Sequence, residues 1–167
     1  MERLHAPWRA GYLATVNEPP RECIFCAFPA EGPEAYAKHL ILTVQPHAMV
    51  MMNRYPYSSG HVMVIPLRHA AMPSQLEAEE WAATCALVSS AVDIVKEVLG
   101  AEGVNVGMNL GRAAGAGIEH HQHFHVVPRW FGDTNFMPTI GQTKVIGEAL
   151  DVTYDRLRPR FAALALP

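Results

Sequence analysis

Cysteine is scarce: three in 167 residues, an odd number too small for a disulfide scaffold, so a cytoplasmic location is the default expectation. Long apolar runs are missing as well. None approaches the roughly 18 residues needed to cross a bilayer, and no membrane association is expected. The start, Met1-Glu2-Arg3-Leu4-His5-Ala6-Pro7-Trp8-Arg9, lacks the apolar centre of a secretory signal. Charge is sparse at 17% of residues, with a net charge of -3. The basic residues are scattered, mostly arginine, and form no patch for a polyanion, so nucleic acid is not an expected partner. What is abundant is hydrophobic residues, half of the chain, and histidine, with nine. Four of those nine fall between His120 and His125. The length suits a single domain over residues 1–167, with its core at about 23–150.

Proline and glycine punctuate the chain. Pro19-Pro20 closes an irregular N-terminal arm, and Gly32-Pro33 closes a short segment holding Cys23 and Cys26. Leu40–Val44, Ala48–Asn53 and His61–Pro66 read as three short strands joined by tight turns, an antiparallel meander. Ser74 and Glu77 have the spacing of a helix capping box. After them Trp81, Cys85, Val88, Val92, Val95 and Leu99 recur in steps of four and three, one apolar stripe on a long helix that Gly100 stops. Cys85 on that stripe reads as a small buried hydrophobe. Val104–Asn109 is a fourth strand and His121–Arg129 a fifth. The chain from Lys144 onward looks helical, with Pro159 breaking or kinking it. The expected architecture is α+β: a five-stranded, mostly antiparallel sheet with one long helix and a C-terminal helix.

Along a strand, side chains alternate faces at about 3.3 Å per residue. His121, His123 and His125 therefore share one face, while Phe124 and Val126 anchor the other in the core. Three imidazoles in a row are hard to explain as packing. Upstream lies a loop with Gly111, Gly115 and Gly117, and with Arg112 inside it. Glycine permits backbone conformations in which successive N–H groups converge on an anion, so a phosphate site is the expected reading. A neutral imidazole can attack phosphorus and form a covalent phosphoramidate, provided its second nitrogen is held as a donor.

His121-Gln122-His123-Phe124-His125-Val126-Val127 resembles the signature of the histidine-triad (HIT) superfamily, although Gln122 and Phe124 stand where small aliphatics are common. Asn53-Arg54 with Gly60–Pro66, Met108-Asn109 with Gly115-Ala116-Gly117, and the stretch from Pro128-Arg129-Trp130 to Lys144-Val145 extend the likeness. They are similar to bacterial diadenosine tetraphosphate phosphorylase-like members. The resemblance implies a HIT-like fold and an enzyme that cleaves a dinucleoside polyphosphate through a covalent nucleotidyl-histidine. It implies His123 as nucleophile, His125 as phosphate contact and proton donor, and Asn53 at the ribose. It further implies Asn109, Gly115 and Gly117 at the phosphates of an adenine nucleotide, with no organic cofactor. A phosphoramidate or mononucleotide hydrolase of the same superfamily is the alternative, and a non-catalytic nucleotide-binding module the alternative of another class.

Cys23-Ile24-Phe25-Cys26 is a C-x-x-C outside any thioredoxin-like pattern, which reads either as half of a zinc site or as a reduced, buried Cys pair. The residues offer His69 and one histidine of the cluster as further ligands. The resemblance implies structural zinc on Cys23, Cys26, His69 and His121, committing the first triad histidine to metal. His120, His5, His39 and His47 read as surface residues. A small sheet with one long helix leaves an apolar face or edge uncovered, and a homodimer is expected. In HIT proteins two subunits pair into a continuous sheet with their long helices at the interface.

Overall fold

The computed structural model describes residues 22–133, 140 and 147–164. The N-terminal arm, His5, Asn135-Phe136 and Lys144-Val145 lie outside them. Helices α1 (Ile24–Ala30) and α2 (Tyr36–His39) lead into β1 (Ile41–Val44), β2 (Ala48–Met52) and β3 (Val62–Pro66). Helix α3 (Ala78–Leu99) follows, then β4 (Gly103–Met108), β5 (Phe124–Arg129) and α4 (Leu150–Ala162). The sheet has five strands in the order β1-β2-β3-β5-β4, every pair antiparallel.

All five residues of β2 and of β3 are buried. An unbroken run of Val, Met and Ile, rather than alternation, follows from a sheet covered on both faces. On one face Val50, Val62, Val64 and Val126 meet Leu87 and Val95 of α3 and Leu157 and Phe161 of α4. On the other, Met49, Met51, Met63 and Ile65 meet Phe25 of α1. Met63 stands opposite His125 in the β3–β5 register, which puts His125 on the α1 face, away from α3.

Several expectations change in detail. The cap of α3 is Glu77 with Glu80, whose Oε2 accepts the Glu77 N–H at 2.9 Å, while Ser74 sits in a 3-10 turn before it. The fully buried positions of α3 are Thr84, Leu87, Ala91, Ile94 and Val95. The stripe Trp81, Cys85, Val88 and Val92 is only half-buried beside them. Cys23 is the extended N-cap of α1, and Cys26 lies in its first turn. Helix α4 begins at Leu150 and runs through Pro159 to Ala162, with Leu157 and Phe161 buried on either side of the proline.

The fifth strand begins at Phe124, not at His121. Extending the register would set Pro66 opposite Gln122. Proline has no N–H to give the ladder, and the Pro66 carbonyl is taken by the His121 ring instead. The Gln122 N–H turns to the Ala70 carbonyl at 2.7 Å. Among the described residues no helix is long and apolar enough to cross a membrane.

Gly60 ends the β2–β3 turn at φ +74°, and a Cβ at this position would overlap Leu99 Cδ1. Gly60→Ala therefore forces the Leu99 side chain to rotate and adds a left-handed backbone cost of about 1–2 kcal/mol. Urea unfolding should show a lower midpoint at unchanged m-value. An unshifted midpoint would contradict this account of the turn.

Candidate active site and metal centre

The tautomer of each central imidazole follows from the group that holds it. His61, at the start of β3, accepts the Tyr57 backbone N–H on Nδ1 at 3.1 Å, so its proton is on Nε2. That proton points to His125 Nδ1 at 3.0 Å. His125 must then carry its own proton on Nε2, facing the Asn109 carboxamide at 3.4 Å. The contact pairs correctly when the amide turns its oxygen to the ring. His123 donates from Nδ1 to the His121 carbonyl at 3.0 Å, which leaves the Nε2 lone pair for chemistry. His121 donates from Nε2 to the Pro66 carbonyl at 2.8 Å, which turns Nδ1 toward Cys23 and Cys26.

Burial opposes protonation of His121, His123 and His125. It holds His121 and His123 below the usual imidazole range, opposed by their bonds to the Pro66 and His121 carbonyls. Burial, and then the neighbouring His123, push His125 down to about 4. His121 is fully buried, whereas His123 and His125 keep 5% and 9% of their surface, so the last two border the open side of the site. Phe25 packs edge-on against His121 and His123, at ring centroid separations of 5.5 and 5.0 Å. Tyr57 lies over the His61–His125 pair, 4.7 and 5.5 Å from the two rings.

Asn109 reaches His125. Asn53 stays at the β2 end, where its Oδ1 accepts the Tyr55 N–H at 2.8 Å and its own N–H binds the His61 carbonyl. In the β4–β5 loop the left-handed glycines are Gly111 (φ +79°) and Gly115 (φ +89°). Gly117 is outside the left-handed region, so its backbone conformation does not itself require glycine.

Cys23, Cys26, His69 and His121 bring one ligand atom each to within 4.8 Å of one another, a group able to hold a metal ion. Cys23 Sγ is 3.4 Å and Cys26 Sγ 3.6 Å from His121 Nδ1, and Cys26 Sγ is 3.3 Å from His69 Nδ1. A tetrahedral ion with S and N ligands at about 2.3 and 2.0–2.1 Å has S···N edges of about 3.5 Å. The donors fit such a shell, and the His121 Nε2–H on a carbonyl is the usual orienting partner of a ligating imidazole. Burial, then the neighbouring Cys23, push the Cys26 thiol up to about 11, a cost that a bound cation reverses.

The other histidines divide. His120 is exposed and His47 half-exposed. His39 is not a surface residue: it is buried, stacked on Phe28 at 3.8 Å, with Nε2 at 2.9 Å from Glu31. His61 is the residue that sequence reading missed. Its signal was the alternation His61, Met63, Ile65 on one face of β3, which points to His125 once β3 and β5 are known to be neighbours. The Gln122 amide is buried without a hydrogen bond among the described residues, and nothing else in the structure explains it.

The HIT domain family model matches residues 34–132. The chain is 37% identical over 166 residues to the AP-4-A phosphorylase of Mycobacterium tuberculosis, covering 97% of this chain and 85% of that protein. It is 34% identical over 107 residues to the adenosine 5′-monophosphoramidase of Schizosaccharomyces pombe, covering 64% and 74%. The crystal structure of a Zn-bound histidine triad family protein from Mycobacterium smegmatis superposes with a TM-score of 0.67 at 26% identity, covering 84% of this chain and 94% of that one. With the triad geometry, the sheet order and the family match in agreement, the chain belongs to the HIT domain family.

Proposed function

We propose that this chain is a nucleotidyl-transferring enzyme that cleaves a dinucleoside polyphosphate such as diadenosine tetraphosphate, with His123 as the nucleophile. The observation that carries the reading is the free Nε2 of His123, backed at Nδ1 by the His121 carbonyl and flanked by the Nε2–H of His125. His123 Nε2 attacks the α-phosphorus, and the bond from phosphorus to the bridging oxygen breaks. The His125 Nε2–H hydrogen-bonds to that oxygen and stabilises its charge as the shortened nucleotide leaves as a phosphate anion. The nucleotidyl-imidazolium keeps its Nδ1–H on the His121 carbonyl, so the charge that develops has a fixed acceptor waiting. Water or inorganic phosphate then attacks phosphorus, releases the second nucleotide and restores neutral His123. Asn109 and the Gly111–Gly115 backbone, with Gly117 beyond it, serve the phosphates, and Asn53 the ribose. The kinship with a monophosphoramidase supports the alternative of a phosphoramidate hydrolase. The identity of the products from adenine dinucleotides, with and without phosphate, separates the two.

Rapid quenching with substrate should leave one acid-labile nucleotidyl group per subunit on His123. Loss of a general nucleophile costs several orders of magnitude (about 10³–10⁶) in turnover, so His123→Ala should retain nucleotide affinity and almost no activity. Near-normal turnover in that variant would remove His123 from the role.

The ion at Cys23, Cys26, His69 and His121 is read as zinc in a structural role. The four donors close a tetrahedral shell and leave no position for substrate oxygen. Cys23→Ser should lower zinc content and melting temperature together, in proportion to the ion lost. A stable, active protein purified without chelator and found free of zinc would overturn the assignment.

Residues 1–167 are read as one cytoplasmic domain with its core at about 23–150, and as half of a homodimer. The half-buried line Trp81, Cys85, Val88 and Val92 on α3 supports the dimer. So does β4, a sheet edge with Val106 exposed. Sedimentation at micromolar concentration should give twice the chain mass, and a monomer alone would contradict it.

A further inference from the structure

The loop from β4 to β5 has both ends in the site. It leaves at Asn109, against His125, and returns at His121 in the metal-binding group. Between them a single 3-10 turn, Arg112–Ala114, is bracketed by the left-handed Gly111 and Gly115. It is tied by Ala114 N–H to the Gly111 carbonyl at 3.2 Å and by Gly115 N–H to the Arg112 carbonyl at 3.0 Å. Arg112 therefore has a defined backbone position, with its Cα no more than about 11 Å from that of Asn109.

Its guanidinium is exposed and makes no hydrogen bond or ion pair with any described residue. The other described arginines are engaged. Arg68, Arg129, Arg156 and Arg160 hold Glu80, Asp133, Glu148 and Glu97, and Arg54 and Arg158 donate to the carbonyls of Lys38 and Leu42. The reacting centre itself is built from neutral imidazoles and an amide, so it brings no fixed positive charge to a polyanionic substrate. The α-phosphate already has His123, His125 and Asn109. Arg112, exposed and farther along the loop, is left for the phosphates beyond it.

We propose that Arg112 is a specificity-determining residue whose guanidinium fork binds the polyphosphate of the leaving group, so that the site prefers a nucleotidyl group carried on a chain of phosphates to one carried on a small leaving group. The proposal rests on the nucleotidyl-transfer reading above. A planar guanidinium pairs two phosphate oxygens at once, a geometry that lysine reproduces only as a point charge. Phosphates on the leaving side therefore add binding that an amine leaving group cannot.

The test compares the unmodified protein, Arg112→Gln and Arg112→Lys on diadenosine tetraphosphate and on adenosine 5′-phosphoramidate. Removing a charge-assisted hydrogen bond at an exposed position leaves no unpaired group buried. For Arg112→Gln this predicts a fall of about tenfold in the ratio of the two kcat/KM values. The fall should come mainly from KM for the tetraphosphate, with partial recovery in Arg112→Lys. An unchanged ratio would overturn the proposal. A second measurement separates it from the reading it rests on. Calorimetric titration of inorganic tripolyphosphate and of AMP into His123→Ala protein, with and without Arg112→Gln, reads binding alone. Weaker tripolyphosphate binding with AMP affected much less sustains the Arg112 assignment even if neither nucleotide is turned over. Equal affinities in both proteins remove it whatever the activity shows.

Discussion

His121 joins two systems through two different groups. Its ring is held between the Pro66 carbonyl and the thiols of Cys23 and Cys26, and its main-chain carbonyl accepts the Nδ1–H of His123. A ring so fixed leaves its own peptide little freedom, and the peptide sets the direction in which His123 presents Nε2. A displacement of about 1 Å at a reacting atom is enough to cost orders of magnitude in rate. The metal-binding group can therefore matter to chemistry without touching it, by fixing the residue two positions before His123, the proposed nucleophile.

A second constraint comes from neutral imidazoles in a buried place. Protonating His123 would destroy its lone pair, and burial opposes that protonation. In the proposed reaction His125 needs the opposite property, an N–H to offer in a hydrogen bond without a charge to carry. The chain Tyr57 N–H, His61, His125 supplies it, since each ring receives at Nδ1 and gives at Nε2. One backbone amide in the β2–β3 turn thus sets the tautomer of a residue on another strand. The turn geometry at Gly60 and the proton at His125 belong to the same piece of structure.

The triad was legible in the sequence because a period of two is legible: His121, His123 and His125 alternate with Gln122 and Phe124 whatever the strand's neighbours. The α+β class, the five-stranded sheet and the long helix were legible as local patterns of hydrophobicity and turn residues, and the family through the resemblance of the His121–Val127 motif and its flanks. What was not legible depended on partners distant in sequence. The late start of β5 comes from Pro66, 55 residues before His121, whose missing N–H ends the ladder. The role open to His61 depends on β3 lying beside β5, a crossover that sequence spacing does not state. His39 looked like a surface residue because its cover, Phe28 and Glu31, lies on the preceding helix and in the turn that ends it. On α3 the periodic stripe was real and its Val95 is fully buried, but the sheet also took the neighbouring line through Leu87 and Ala91.

The choice of line on α3 bears on how the domain divides its work. Leu87, Ala91 and Val95 fill the core above the sheet, and α4 closes the rest of that face with Leu157 and Phe161. The triad imidazoles and the metal-binding group lie on the opposite face, under α1, where the methionines of β2 and β3 make an apolar floor. Apolar area removed from water is worth about 25 cal/mol per Å² wherever it lies, so stability can be concentrated on the α3 side. The α1 side can then carry what a core does not tolerate: four central imidazoles, a thiol pair and a glycine-framed loop with a free guanidinium. The sheet between them is the rigid element, and β5 spans the division, with Phe124 and Val126 facing one system and His125 the other.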